Sequence, residues 1–302
     1  MPSPTDVQIS VITVTYRSAH SAAACLEATA GTVAAFGEQV EWIVVDNSED
    51  ASDEGLLLTL RDGLPSMRIL RRPSNPGFAA SCNEGASAAA GAWLLLVNPD
   101  IYLTREVLGA VAETVRRADD SVAAFAIGQS TRGRRHLGIG LLFGAWFFDR
   151  SPQSRTRLLG PSGGLAALER SRFLRVGGFD EQMFAWGEDV DLAFRMRREG
   201  WRCEEVEAFA EHLGGHSVSS PEAQSLKAYL LGRNRQVVAW RHYSLTRLAW
   251  MELLSLAVYA ARLPAHLRQG SFPFLWRGLV EGVQIGRAER SRRSPGHPGK
   301  GR

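Results

Sequence analysis

The sequence predicts an α/β fold, a mainly parallel sheet flanked by helices, with a helical extension at the C-terminal end. Three observations predict it. Short, continuously apolar runs such as Trp42-Ile43-Val44-Val45 and Trp93-Leu94-Leu95-Leu96-Val97 alternate with longer segments of helical period, as strands buried on both faces do. Those two runs stop at turns that carry an acidic residue, Asp46-Asn47-Ser48 and Asn98-Pro99-Asp100. From about residue 222 onward the pattern is helical through Tyr229, Trp240, Trp250 and Trp276.

In order, the chain reads as strand (9–15), helix (about 20–36), strand (40–45), a turn-rich loop, short strand (67–70), helix (78–89) and strand (92–97). A helix (104–117) and a strand (122–127) follow. This alternation implies right-handed β-α-β units. Residues 128–160 show no period; Leu141 to Phe148 fit either a packed aromatic strand in a structured insertion or a mobile loop at an acceptor or membrane. A strand (about 164–168), an acidic helix (188–199), a strand (about 202–209) and Glu211-His212-Leu213-Gly214-Gly215-His216-Ser217 complete the pattern. The expected organisation is one domain over 1–220, with halves at about 9–127 and 128–220. A helical region (221–286) and an unfolded basic tail (287–302) would follow it.

At 302 residues, 45% hydrophobic and 22% charged, the composition is that of an ordinary globular protein. A net charge of +3, concentrated around Arg71-Arg72, Arg132 to His136 and the last quarter, suits an anionic small molecule or membrane surface better than duplex DNA. Cys25, Cys82 and Cys203 have no metal-ligand spacing and read as core thiols of a reducing compartment. The expected location is cytoplasmic, soluble or peripheral at the cytoplasmic membrane, because neither a signal-peptide pattern nor a run of about 18 uncharged apolar residues occurs. Leu248 to Ala261, bracketed by Arg247 and Arg262, fits a membrane interface or a buried helix equally.

The acidic residues carry the functional reading. Gly187-Glu188-Asp189-Val190-Asp191-Leu192 places three carboxylates within four residues, with helical spacing running on to Glu199. Like charges that close are tolerated at a helix N-terminus, beside a cation or where a proton is moved. Asp46 and Asp100 stand at the C-terminal ends of parallel strands, the edge where open α/β sheets bind ligands. A turn aspartate or an ordinary acidic helix start explains each feature alone; the three together favour a catalytic crevice. The turn Thr15-Tyr16-Arg17-Ser18 after the first strand lacks Gly-x-Gly-x-x-Gly, and no Gly-x-x-x-x-Gly-Lys-Ser/Thr occurs, which counts against a dinucleotide or P-loop site.

Thr15-Tyr16, Val45-Asp46-Asn47-Ser48, Asn75-Pro76-Gly77-Phe78-Ala79 with Asn83, Asn98-Pro99-Asp100, Gly177 to Glu181, Trp186 to Leu192, Gly200-Trp201, His212, and Tyr229 with Arg233-Asn234-Arg235 occur in one order. Together they resemble the family-2 glycosyltransferases of GT-A-type, Rossmann-like fold, in their rhamnosyltransferase-like branch, over roughly residues 9–242. The resemblance implies an inverting, metal-dependent glycosyltransferase of bacterial cell-surface polysaccharide synthesis. Asp189 would be the general base, with Glu188 and Asp191 orienting it or meeting the acceptor. Thr15, Tyr16, Asp46, Asn47, Asn75, Gly77, Phe78, Asn83, Asn98 and Asp100 would bind a nucleotide-sugar, and Trp186, Gly187 and Glu188 the acceptor. Asp100 and His212, or His216 near it, would hold Mg²⁺ or Mn²⁺, with Asn98 replacing the first carboxylate of the family's Asp-x-Asp. Arg71, Arg72 and the Asn75–Phe78 turn are further diphosphate candidates, the turn because it opens a helix.

The implied donor is dTDP-L-rhamnose, then a UDP-hexose; the acceptor is a saccharide or polyprenyl-linked saccharide, with peripheral membrane contact and no nucleic acid. A nucleotidyltransferase would need a glycine-rich basic loop after the first strand. A non-catalytic membrane-peripheral scaffold would not need Asp46, Asp100, Glu188 and Asp189.

Overall fold

A computed structural model describes residues 9–49, 51, 53–214 and 220–293, and the chain divides into two compact units. The first takes in the residues up to 217 except 142–146; the second comprises 142–146 and the chain from 218 on.

The first unit is built on a nine-stranded sheet of order β3-β2-β1-β4-β11-β6-β12-β5, with β7 also paired to β6. Its strands are β1 (Ile9–Thr15), β2 (Val40–Asp46), β3 (Met67–Arg71), β4 (Trp93–Val97), β5 (Ile101–Tyr102), β6 (Val122–Thr131), β7 (Arg134–His136), β11 (Leu165–Glu169) and β12 (Arg202–His212). β1 to β4 pair in parallel, as does β12 with β6, whereas β11 is antiparallel to both of its neighbours. That reversal has a local cause. β11 is reached from β6 through hairpins rather than a helical crossover, and an antiparallel return needs no crossover.

Alternate side chains of the central strands feed two cores. On one face Val11, Trp42, Val44 and Leu95 pack with Leu26 and Val33 of α1 (Ala23–Phe36) and Val107, Leu108 and Val111 of α4 (Arg105–Arg116). On the other, Ile12, Ile43, Leu94 and Leu96 pack with Ala79, Cys82 and Ala86 of α3 (Phe78–Ala88) and Leu192 and Met196 of α6 (Glu188–Arg198). Cys25, Cys82 and Cys203 are free thiols; burial pushes Cys25 up to about 11 and holds Cys82 well above the ordinary thiol range.

Several elements depart from the sequence reading. The turn-rich loop after β2 contains α2 (Glu54–Gly63), which buries Leu57 while Leu56 and Leu60 pack against the core. Gly55, Gly63 and the polar run before them hide that period. A six-residue helix, α5 (Arg170–Arg175), follows β11 and is capped by Glu169, which accepts from Arg172 N at 2.7 Å. The stretch 128–160 is ordered structure: β6 continues to Thr131 and turns into β7, and β8 (Ile139–Leu142), β9 (Trp146–Asp149) and β10 (Leu158–Gly160) form a three-stranded sheet.

The second unit contains α7 (Pro221–His242), α8 (Leu245–Arg268) and α9 (Phe272–Arg293). The basic tail expected from Arg287 therefore begins as helix, and residues 294–302 lie outside the described chain. Arg241 forks onto both oxygens of Glu289 at 2.6 and 2.7 Å, and Arg290 donates to Tyr243 O at 3.0 Å, which hold the last turns of α9. A glycine ladder does the rest. A Cβ on Gly278 would meet Tyr229 O, and one on Gly282 would meet Arg233 O, so α9 lies backbone-on-backbone against α7. No helix among the described residues is long and apolar enough to cross a membrane.

Candidate active site

Register brings the strand ends together. Thr15 pairs with Asp46 across β1 and β2, so both side chains reach the same sheet edge. Asp46 is fully buried; its Oδ1 accepts from Thr15 Oγ1 at 3.2 Å and Ser48 N at 3.0 Å. Its Oδ2 accepts no hydrogen bond, and Arg71 Nε stands 3.6 Å away, too far to donate one. A buried, orphaned carboxylate oxygen is costly unless a ligand donor meets it. Asn47 is held beside it by Ser81 Oγ at 2.9 Å and by its own donation to Asn75 Oδ1 at 3.3 Å.

Several expected donor contacts have other work. Thr15 positions Asp46, while Tyr16 is exposed with the Arg17 guanidinium 5.4 Å from its ring centre. Asn83 is committed to the loop before α6: it donates to Phe179 O and accepts from Phe179 N, both at 2.8 Å. The start of α3 is also covered, because Gly77 N donates to Asn75 Oδ1 and Ala79 N donates to Phe184 O at 3.1 Å. A Cβ at Gly77, whose φ is 95°, would sit 2.5 Å from the Phe184 ring, so this position accepts only glycine. Phe78 is half-buried against Phe179. Arg72 pairs with Glu84 at 3.1 Å and Arg71 with Glu54 at 2.7 Å, so neither arginine is simply solvated.

Asp100 and His212 are brought together by β5 pairing with β12. His212 Nε2 lies 3.1 Å from the buried Asp100 Oδ1, and Thr131 Oγ1 lies 3.3 Å from Nδ1 on the far side of the ring. A carboxylate oxygen beside an imidazole whose other nitrogen is oriented fits a divalent ion. No group of three potential ligands occurs among the described residues, so such an ion would take its other oxygens from phosphate and water. His216 lies outside the described residues.

The acidic cluster opens α6, as its spacing predicts, and its members divide by environment. Asp191 is buried and accepts from Arg195 Nε at 2.7 Å, an i,i+4 pair. Asp189 accepts from Gly163 N at 2.9 Å and Val190 N at 2.8 Å. Burial pushes Asp189 up to about 6; those two N–H groups pull the other way and the charge of Asp149 adds to the rise. Burial, then the Asp189 charge, raises Glu188 well above the usual carboxylate range, and its Oε2 is buried without a partner.

Folding therefore favours the protonated form of Glu188 more than the unfolded chain does. Its folded pKa exceeds the unfolded value of about 4.3, so stability is lost as pH rises through the folded value. Glu188→Gln is expected to raise Tm at pH 8 by at least about 2 °C, and the gain should fade by pH 4. Melting curves at the two pH values decide it; a pH-independent change would mean the carboxyl is not strained by ionisation.

Residues unremarked in the sequence hold the site. Gly163 and Gly164 join its halves: Gly163 N reaches Asp189, and Gly164 O accepts from Asn98 N at 2.8 Å, two residues before Asp100. Asp53, in a polar run with no distinguishing neighbour, fixes the turn after β1 by accepting from Ser18 N at 2.8 Å and Ala19 N at 3.0 Å. Phe184 and the already named Trp186, at φ of 63° and 61°, put strain into the loop that leads through Gly187 to Asp189. Only the Phe-Ala-Trp-Gly run before the acids could have marked that loop.

Comparison with known proteins agrees with this geometry. The model of glycosyl transferase family 2 matches residues 10–177, and that described as the N-terminal domain of galactosyltransferase matches 152–216. An N-acetylglucosaminyl-diphospho-decaprenol L-rhamnosyltransferase of Mycobacterium tuberculosis is 28% identical over 220 residues, 60% of this chain and 70% of that protein. The mannosyltransferase PcManGT from Pyrobaculum calidifontis, solved with GDP-Man and Mn²⁺, superposes with a TM-score of 0.57 at 16% identity, covering 97% of this chain and 90% of its own. S. aureus TarS 1-349 in complex with UDP gives 0.54 at 18% identity, covering 96% and 92%. The fold is thus GT-A.

Proposed function

The chain belongs to glycosyltransferase family 2, and from that premise we propose that it transfers L-rhamnose, with inversion, from dTDP-L-rhamnose to a hydroxyl of a saccharide or polyprenyl-linked saccharide in bacterial cell-surface polysaccharide synthesis. The observation that carries the transfer chemistry is Asp189, a carboxylate raised to about 6 and joined by one Gly-Gly peptide to the strand end that bears Asp100. The mycobacterial relative, by its name a rhamnosyltransferase using a decaprenol-linked acceptor, supports the donor and acceptor.

Each group has a role in this reading. The orphaned Asp46 Oδ2 accepts the imide N–H of thymine or uracil, held in line by Thr15 and Ser48. Trp186 and Gly187 border the acceptor. The attacking hydroxyl oxygen forms the new bond to the anomeric carbon as the bond to the diphosphate oxygen breaks. Its proton passes to Asp189, and the nucleoside diphosphate leaves with the electron pair. Asp100 and His212 would hold Mg²⁺ or Mn²⁺, which supplies positive charge to the leaving diphosphate. Burial and the charge of Asp189 disfavour a second negative charge on Glu188. The site would work at the cytoplasmic face of the membrane, where a polyprenyl-linked acceptor is presented.

Calorimetric titration of dTDP, UDP and GDP, with and without Mn²⁺, followed by turnover of the matching nucleotide-sugars, tests this. Metal-dependent binding of dTDP and turnover of dTDP-L-rhamnose is the expected result. Preference for UDP would select a UDP-hexose donor, and binding of no nucleotide would overturn the assignment.

A further inference from the structure

We propose that the outward face of α8, together with the Phe143 tip of the β8–β9 hairpin, is a seat for a bilayer surface containing anionic phospholipid. Exposed positions on α8 recur every three or four residues, at Ala249, Trp250, Leu253, Leu256, Ala257 and Ala260. No charged side chain is exposed between 249 and 261. Trp250, Leu253 and Leu256 are 45%, 59% and 70% exposed, and Phe143 is 69% exposed. A solvent-facing helix surface ordinarily carries the polar residues, so a continuous apolar stripe there marks a contact surface.

The hairpin tip is prepared for an apolar medium. Three successive carbonyls are each met by a donor from the first turns of α8 or from Tyr243, two residues ahead of it. Trp250 Nε1 donates to Phe143 O at 3.1 Å, Arg247 Nε to Gly144 O at 2.7 Å, and Tyr243 Oη to Ala145 O at 2.6 Å. Backbone groups entering lipid need internal partners, and here the carbonyls of the tip that presents Phe143 already have them. Phe143 and Gly144 hold φ of 48° and 75°, so the clamp fixes a turn that an unconstrained phenylalanine would avoid.

Charge selects the occupant. Arg247 and Arg262 bracket the stripe. The acids of α8 and α9 are engaged: Glu252 accepts from Gln236, Glu281 from Tyr229 Oη at 2.7 Å, and Glu289 from Arg241. Cations at both ends of an apolar stripe fit acyl chains bordered by anionic headgroups. A second copy of the chain packed antiparallel on the same stripe would set Arg247 against Arg262. The run Leu248–Ala261, apolar apart from Glu252 and Ser255, is 14 residues, about 21 Å of helix against about 30 Å of hydrocarbon, so the helix lies along the surface.

This inference deepens the polyprenyl-acceptor reading and rests on it only for its purpose. Vesicle binding is measured without donor or acceptor, so either can fail alone. The full chain is sedimented with phosphatidylcholine vesicles with and without phosphatidylglycerol, at low and high salt. Wild type should bind the anionic vesicles, less so at high salt, and Leu253→Glu with Leu256→Glu should weaken binding at least about tenfold without lowering Tm. Phe143→Asn, at a backbone angle asparagine accepts, should weaken it several-fold. Wild type left in the supernatant, or the double variant bound as tightly, overturns the proposal. A wild-type dimer that the double variant converts to monomer by light scattering would also overturn it, making the stripe a contact between copies.

Discussion

Asp189→Asn is expected to lower kcat by about 10²–10⁴-fold while the affinity for nucleoside diphosphate changes less than about twofold. The amide has the shape of the carboxylate and keeps an acceptor for Gly163 N or Val190 N, but it cannot take the hydroxyl proton. The same reasoning fixes the pH dependence. Asp189 is pushed up to about 6, and only its ionised form is a base, so kcat/KM should rise with pH to a plateau above about 7. In the variant that limb should vanish. Asp189→Glu restores the charge one methylene away and should recover part of the rate. Single-turnover kinetics with calorimetry separates the outcomes: a fall in affinity equal to the fall in rate would mean that the residue shapes the pocket rather than moving a proton.

Asp100→Ala should abolish the Mn²⁺ dependence of nucleotide binding and lower kcat/KM on the order of 10²–10³-fold. Two effects combine. On the proposed reading the ion would lose its carboxylate ligand, and His212 loses the oxygen 3.1 Å from its Nε2, leaving Thr131 to orient the ring. Titration of the favoured nucleotide against protein and metal reads both. If binding keeps its metal dependence in the variant, the ion is held elsewhere in the chain and the pairing of Asp100 with His212 is structural.

The parallel half of the sheet was legible because its strands are apolar on both faces, and β1 to β4 fall within a residue or two of the expected limits. So were Asp46, Asp100 and the acidic start of α6, since strand ends and helix starts impose position on charge. What escaped has one physical origin: dependence on partners distant in the chain. Asp191 and Asp189 look alike in sequence and are separated only by Arg195 on one side and Gly163 on the other. The two hydrogen bonds by which Asn83 holds Phe179, 96 residues away, leave no mark in the sequence. Gly163 acts through its own backbone N–H, and Asp53 through a carboxylate that meets the backbone N–H groups of Ser18 and Ala19, contacts that leave no signature in residue spacing. The helix α2 was masked by its own glycines, and the reach of α9 depended on Arg241, 48 positions before Glu289.

The glycine ladder of α9 has a consequence for how the second unit allocates its side chains. Helices usually join by interleaving bulky residues, which are then unavailable for anything else. Here Gly278, Gly282 and Gly286 let α9 meet Tyr229, Arg233 and Trp240 of α7 at closer range than any side chain allows. Even Gly232 on α7 has Leu275 O within 2.8 Å of where its Cβ would stand. Cohesion is delegated to the residues with the least to offer, and large apolar residues such as Phe274 and Trp276 remain on the exterior. The cost is intolerance: a single added methyl at 282 must displace the carbonyl of Arg233 and pry the two helices apart over their shared length.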